Sequence, residues 1–161
     1  DGWVKTGDIG YIDDEGYLLI TDRLKDMFKT SGGKYIAPQQ IETLLKEDIF
    51  IEQVIAIGDG KKFVSALIVP SFEQLEIYCQ KHGIPFTSKE EIIKHPDILK
   101  LYRERIDERT KGLGQVEKVK KFVLLPQEFS QETGELTPTM KIKRKIISSK
   151  YKDIIDSIYA E

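Results

Sequence analysis

Apolar positions along these 161 residues follow two rhythms, and the changes between them mark out the elements. Residues 8–22 carry Ile9, Tyr11, Tyr17, Leu18, Leu19 and Ile20 around Asp13-Asp-Glu-Gly16, the pattern of a small β-meander folded at a polar turn. A second short hairpin is predicted around Ser31-Gly-Gly-Lys34, where paired glycines permit backbone angles that side chains disfavour. Pro38 opens a helix whose apolar face holds Ile41, Leu44 and Leu45. Continuous Val/Ile/Ala-rich runs at 51–58 and 62–70 flank Gly58-Asp-Gly60 and read as paired strands. Ser71-Phe-Glu-Gln74 and Ser88-Lys-Glu-Glu91 have capping-box spacing, the first ahead of a helix with Leu75, Tyr78 and Cys79 on one face. A longer helix from Pro96 to Lys111 turns Ile98, Leu101, Tyr102 and Ile106 inward and stops at Gly112 and Gly114. Residues 118–125 read as a third strand, and Ile147, Tyr151, Ile154, Ile155 and Ile158 mark one terminal amphipathic helix. The expected fold is therefore an α+β domain on a three-stranded sheet with flanking helices, preceded by the meander, with a boundary near Arg23 to Lys25.

Composition narrows the function classes. A hydrophobic content of 40% supports a sizeable core, while 32% charged residues and a net charge of −2 argue against nucleic-acid binding by overall charge. The single cysteine, Cys79, cannot form an intramolecular disulfide and fits a reducing, cytoplasmic setting. No apolar run approaches the roughly 18 residues that span a bilayer. The start at Asp1, without methionine and inside a recognisable motif, leads us to expect a fragment. His82 and His95 stand alone in helical contexts, with no spacing for a metal or a triad, so no metal ligands are assigned.

Candidate chemistry sits at the two ends. In Trp3-Val-Lys-Thr-Gly-Asp8 the carboxylate can hold the vicinal hydroxyls of a ribose, although by itself Asp8 reads more readily as a turn residue. Asp22-Arg-Leu-Lys-Asp26 reads alone as a solvated charge cluster. Ser31-Gly-Gly-Lys34 lacks the longer spacing of a phosphate-binding P-loop. Leu136-Thr-Pro-Thr-Met-Lys-Ile-Lys-Arg-Lys145 places Lys141 in a loop ahead of the last helix, and no acid interrupts the basic run to Lys152. That run reads as a solvated helix face or as a patch for an anionic membrane or a phosphate.

Taken in order, Trp3–Asp8, Thr21-Asp-Arg-Leu-Lys-Asp-Met-Phe-Lys-Thr-Ser-Gly-Gly-Lys34 and Leu136–Lys145 resemble the last three signature motifs of the adenylate-forming superfamily. The stretch from Thr30 to Glu42 is most like its long-chain fatty acyl-CoA synthetase branch. The resemblance implies that residues 1–23 are the tail of a large N-terminal domain and 24–161 a mobile C-terminal domain. It implies Asp8 and Arg23 in nucleotide binding, Lys25 as the hinge, and Gly32, Gly33 and Lys34 in a hairpin beside CoA. Lys141 would be the catalyst of adenylation, preferred by register over Lys143. A lysine between two anionic reactants stabilises developing charge, and losing such a contact costs of order 10²–10³ in rate. Many superfamily members carry Gly-Lys where Met140-Lys141 stands here; the long-chain branch shares the departure. The implied parent uses ATP, Mg²⁺, CoA and a fatty acid, and this piece alone would be inactive. Two rivals remain: an adenylating ligase that loads a carrier protein, and a non-catalytic interaction module on the same fold.

Overall fold

A computed structural model describes residues 2–23 and 27–160, with backbone only at 21–23. Three strands form the central sheet: β5 (Ile51–Ile57), β6 (Val64–Pro70) and β7 (Val119–Leu124), in that spatial order. β5 and β6 are antiparallel, Ala56 opposite Ala66, while β7 returns parallel to β6 with Val123 opposite Leu67. The parallel return requires a crossover, here made by α2 (Phe72–His82), α3 (Lys89–Ile92) and α4 (Pro96–Arg109).

Burial on both faces explains why β6 is apolar at every position but Ser65 rather than alternating. Val54, Ala56, Ala66 and Ile68 face one layer with Ile41 and Leu45 of α1 (Pro38–Lys46), Leu75 of α2, and Ile98, Tyr102 and Ile106 of α4. Ile55, Ile57, Leu67 and Val69 face the opposite layer. There they meet Leu125, Phe129, Leu136 and the helices α5 (Arg144–Lys150) and α6 (Lys152–Tyr159) through Ile147, Ile155 and Ile158. Each fully buried Val, Leu or Ile side chain among these contributes about 1.5–3 kcal/mol.

Two hairpins precede the sheet. β1 (Asp8–Ile12) pairs antiparallel with β2 (Leu18–Arg23), with a bulge at Ile9/Gly10, so the expected meander is a two-stranded hairpin. β3 (Phe28–Lys29) pairs with β4 (Tyr35–Ile36) across the Thr30–Lys34 turn. Tyr11, Ile12, Tyr17, Leu18 and Ile20 are each more than half exposed, from 57% to 69%, so no described residue covers that first hairpin.

Three sequence expectations need correction. Ser71 adopts a capping backbone but its side chain makes no cap hydrogen bond, whereas Ser88 Oγ does accept from Glu91 N at 3.2 Å. The terminal helix is two helices, broken at Tyr151 with φ −104° and ψ 23°. Both sides of the break still point apolar residues at one layer, so hydrophobic periodicity could not reveal it. Of the two glycines at Gly32 and Gly33, only Gly33 has a left-handed backbone, φ +82°.

Candidate functional site

Each candidate residue sits on a short segment held by its neighbours. Gly7 has φ +76° and Thr6 Oγ1 accepts from Asp8 N at 3.3 Å, so Thr6 and Gly7 shape the turn that presents Asp8 at the start of β1. The β1–β2 register puts Asp8 opposite Arg23. Lys25 lies outside the described residues.

The β3–β4 hairpin is tied to the β5–β6 turn. Ser31 N donates to Lys61 O at 2.9 Å, and Gly60 N donates to Lys29 O at 2.8 Å. Phe28 is buried, and its ring lies so close to Gly58 that a Cβ there would stand 2.5 Å from Cε2. Only glycine admits that approach. Within the turn, Thr30 N donates to Lys34 O and Gly33 N to Thr30 O, both at 2.9 Å. Gly32 has no such demand: an added Cβ would meet only Thr30 Oγ1, at 3.9 Å. Lys34 is exposed.

The loop carrying Lys141 is closed by an isolated bridge between Leu136 and Ile142. Thr137 staples it: Thr137 N donates to Lys141 O at 2.8 Å, and Thr137 Oγ1 accepts from Lys141 N at 3.0 Å. Met140 takes a left-handed φ of +63°, which non-glycine residues disfavour. Met140 thus occupies a backbone conformation that glycine adopts more readily. Lys141 is exposed, and Lys143 is half-buried with its N–H donating to Glu135 O at 2.7 Å.

Three buried carboxylates were not legible as such in the sequence. Glu42 on α1 receives Arg144 Nη2 at 2.5 Å, and burial still lifts its pKa above the ordinary value despite that guanidinium. Asp48 is fully buried and accepts from Arg105 Nε at 2.6 Å, Arg109 Nε at 3.2 Å and Phe50 N at 3.0 Å. Glu135, 1% exposed, accepts from Lys150 Nζ, Thr133 Oγ1 and Ser130 N. Burial pushes its carboxyl up, but these donors win and hold it below the usual range; the same contact raises Lys150. Arg144, Lys150 and Lys152 of the basic run thus make ion pairs, so less of its charge is available to a partner than the sequence suggests. His95 has a local role instead: its Nδ1 accepts from Asp97 N at 3.2 Å and caps α4.

An open cleft of about 700 Å³ lies between Phe28, the Gly58–Lys61 turn and helices α5 and α6. Asp8, Gly32, Gly33, Lys34 and Lys141 line none of it. The structure pairs Asp8 with Arg23 across one hairpin but does not gather the candidate residues into a single pocket. Among the described residues no group of three or more His, Cys, Asp and Glu side chains could hold a metal, and no helix is long and apolar enough to cross a membrane.

A family model described as the AMP-binding enzyme C-terminal domain matches residues 25–161. The chain belongs to that family. The chain is 38% identical over 160 residues to long-chain-fatty-acid–CoA ligase FadD15 of Mycobacterium tuberculosis, covering 99% of this chain and 27% of that protein. It is 35% identical over 180 residues to long-chain-fatty-acid–CoA ligase ACSBG2 of Gallus gallus, covering all of this chain and 24% of that one. The chain thus spans about a quarter of the length of these relatives. Its backbone resembles the adenylation domain of a Mycobacterium chelonae carboxylate reductase, with a TM-score of 0.78 and 23% identity over 97% of this chain and 23% of that one. That likeness establishes the fold alone.

Proposed function

We propose that this chain is the C-terminal quarter of an AMP-forming long-chain fatty acid–CoA ligase. The reading is carried by one observation: relatives named for that activity match the chain from end to end at 33–38% identity. In the first half-reaction a carboxylate oxygen attacks the α-phosphorus of ATP and pyrophosphate leaves. In the second, the CoA thiol loses its proton, the sulfur attacks the acyl carbonyl, and AMP leaves.

Residues 1–23 end a large N-terminal domain, which would cover the exposed apolar side chains of the β1–β2 hairpin. Residues 24–161 form the mobile domain. Asp8 holds the ribose hydroxyls, Arg23 assists at the nucleotide, and Lys25 is the pivot. Gly32, Gly33 and Lys34 form the wall along which CoA enters, and Lys34 meets one of its phosphates. Lys141 offsets the repulsion between carboxylate and ATP. Mg²⁺ would arrive with ATP rather than on ligands of this domain. The acceptor is free CoA, as the names of the relatives suggest, rather than a tethered carrier. The protein works in the cytoplasm, and the isolated domain is inactive.

The deciding experiment compares the full-length protein with Lys141→Ala, following pyrophosphate release with a long-chain fatty acid and, separately, thioester formation from preformed acyl-adenylate. The first rate falls about 10²–10³-fold and the second persists. Persistence of both rates would refute the assignment of Lys141.

A further inference from the structure

Lys141 itself makes few anchoring contacts through its side chain; its position is inherited from the base of its loop. That base is Glu135. The Glu135 carbonyl oxygen accepts from Lys143 N at 2.7 Å, on the C-terminal arm of the loop. The N-terminal arm starts at the next residue, Leu136, which is buried and bridges to Ile142. Glu135 thus joins the two arms at their base, below the Leu136–Ile142 bridge and the Thr137–Lys141 staple. Its side chain in turn is 1% exposed and held by Lys150 of α5, by Thr133 and by Ser130 N. Ser130 N and Thr133 belong to the turn before the loop, so among the described residues Lys150 is the side chain that ties the Glu135 carboxylate to a helix, beside the packing of Leu136 on Ile147 and the direct entry of Lys143 into α5. Lys150 reaches there from the last turn of α5, the same helix that plants Ile147 in the layer under the sheet.

We propose that Glu135 and Lys150 form a positioning pair for adenylation, which sets where Lys141 stands relative to the acyl-phosphate centre. The proposal rests on the reading of Lys141 given above. Neither residue touches substrate. Their ion pair converts the packing of α5 against the sheet into a fixed height for a seven-residue loop, 136–142. A flexible lysine still reaches its target without that anchor, but less of the time and at poorer angles. Misplacement of a catalytic group by about 1 Å costs of order 10²-fold in rate. The β3–β4 hairpin has its own ties to Lys61 and Gly60, so loss of the pair leaves the thioester-forming side undisturbed.

The test uses the full-length protein and both half-reactions. Glu135→Gln keeps the shape and most hydrogen bonds of the buried group while removing its charge. Lys150→Met removes the cation but keeps the aliphatic stem, and Lys150→Arg restores a donor. Adenylation is expected to fall at least tenfold in Glu135→Gln and Lys150→Met, mainly in kcat, and to recover to within about threefold in Lys150→Arg. Thioester formation from preformed acyl-adenylate stays within about twofold and certifies that the variants are folded. Should Lys141→Ala abolish adenylation while both pair variants keep it, the pair is merely structural and the proposal fails. Equal losses in both half-reactions also overturn it, since they mean general destabilisation. If Lys141→Ala leaves adenylation intact, the underlying reading fails and the positioning role falls with it.

Discussion

Gly32 and Gly33 are neighbours whose replacement by alanine should have opposite effects, and the contrast tests the hairpin directly. At Gly33 the backbone sits at φ +82°, and the nearest atom to an added Cβ is Lys29 Cε at 3.8 Å, so the obstacle is conformational rather than steric. Left-handed backbone costs an alanine about 1–2 kcal/mol, from which the lower entropy of the unfolded alanine chain returns about 0.4–1 kcal/mol. Gly33→Ala should therefore lose about 1 kcal/mol, or about 2–4 °C in melting temperature for a chain of this size. At Gly32 the backbone is not left-handed and the only neighbour lies at 3.9 Å, so Gly32→Ala should be neutral or stabilising by up to about 1 kcal/mol. Nothing within this domain needs a glycine at 32. If it faces the CoA channel, a methyl group there obstructs the thiol arm, and thioester formation in the full-length protein should slow at least tenfold while adenylation is kept. Thermal unfolding of both variants and the two half-reactions of Gly32→Ala complete the experiment. An unchanged thioester rate in Gly32→Ala would remove the hairpin from the CoA path.

Other expectations follow from the buried charges and from Met140. Asp48→Ala leaves Arg105, Arg109 and Phe50 N without their shared acceptor, and breaking a buried pair of this kind costs about 3–5 kcal/mol, read as a drop of more than about 6 °C in melting temperature. A loss under about 1 kcal/mol would mean that water replaces the carboxylate. Met140→Gly should leave stability unchanged or raise it by up to about 1 kcal/mol, whereas Met140→Val should lower it by about 1 kcal/mol or more, because a β-branched side chain fits φ +63° worse than methionine does. Equal melting temperatures for the two would show the loop relaxing out of that conformation. Glu135 has a folded pKa below its unfolded one, so its contribution is complete above the ordinary carboxylate pKa and is lost as pH falls through the depressed value. Urea unfolding between about pH 5 and pH 2 should accordingly show a shallower acid decline in Glu135→Gln than in the parent, and an identical decline would contradict the assignment. Glu42 works with the opposite sign, since its raised folded pKa favours the folded state on protonation, and it offsets part of that decline.

What the sequence made legible depended on how local the cause was. The strands at 51–57 and 64–70 and the helix at 96–109 follow from runs and periods within one segment, and the structure agrees with them to within three residues. The parallel return of β7 was not read from the sequence, because strand direction is settled by the helical crossover between β6 and β7 and not by any one segment. The capping role of Ser71 failed because the motif specifies residue types, while the bond needs the hydroxyl to turn toward an N–H. The buried acids were out of reach for a different reason. Glu42 finds Arg144 102 residues away, and Asp48 finds Arg105 57 residues away, across contacts that exist only after the layers assemble. Before that assembly each is one more charge in a chain rich in them. The candidate site was legible through motif resemblance rather than through composition or periodicity, and the structure adds the reasons those motifs have their shapes: Gly7 and Thr6 turn the chain, Gly33 closes a hairpin, and Met140 stands in a glycine-like backbone.

The arrangement of these segments also constrains how the proposed ligase would have to work. The β3–β4 hairpin is pinned to the turn between β5 and β6 by Phe28 packed on Gly58 and by two backbone hydrogen bonds. The Lys141 loop is pinned through Glu135 and Lys150 to a helix under the same sheet. Neither can travel far without the sheet, and they share no cavity or hydrogen-bond partner. An enzyme that needs the lysine for one half-reaction and the hairpin for the next would therefore have to carry the whole domain between two positions. Loop motion within the domain would not suffice, because the anchors that make each group effective also fix it in place. A pivot outside both anchored segments meets that requirement, and the proposed pivot, Lys25, precedes both in the chain.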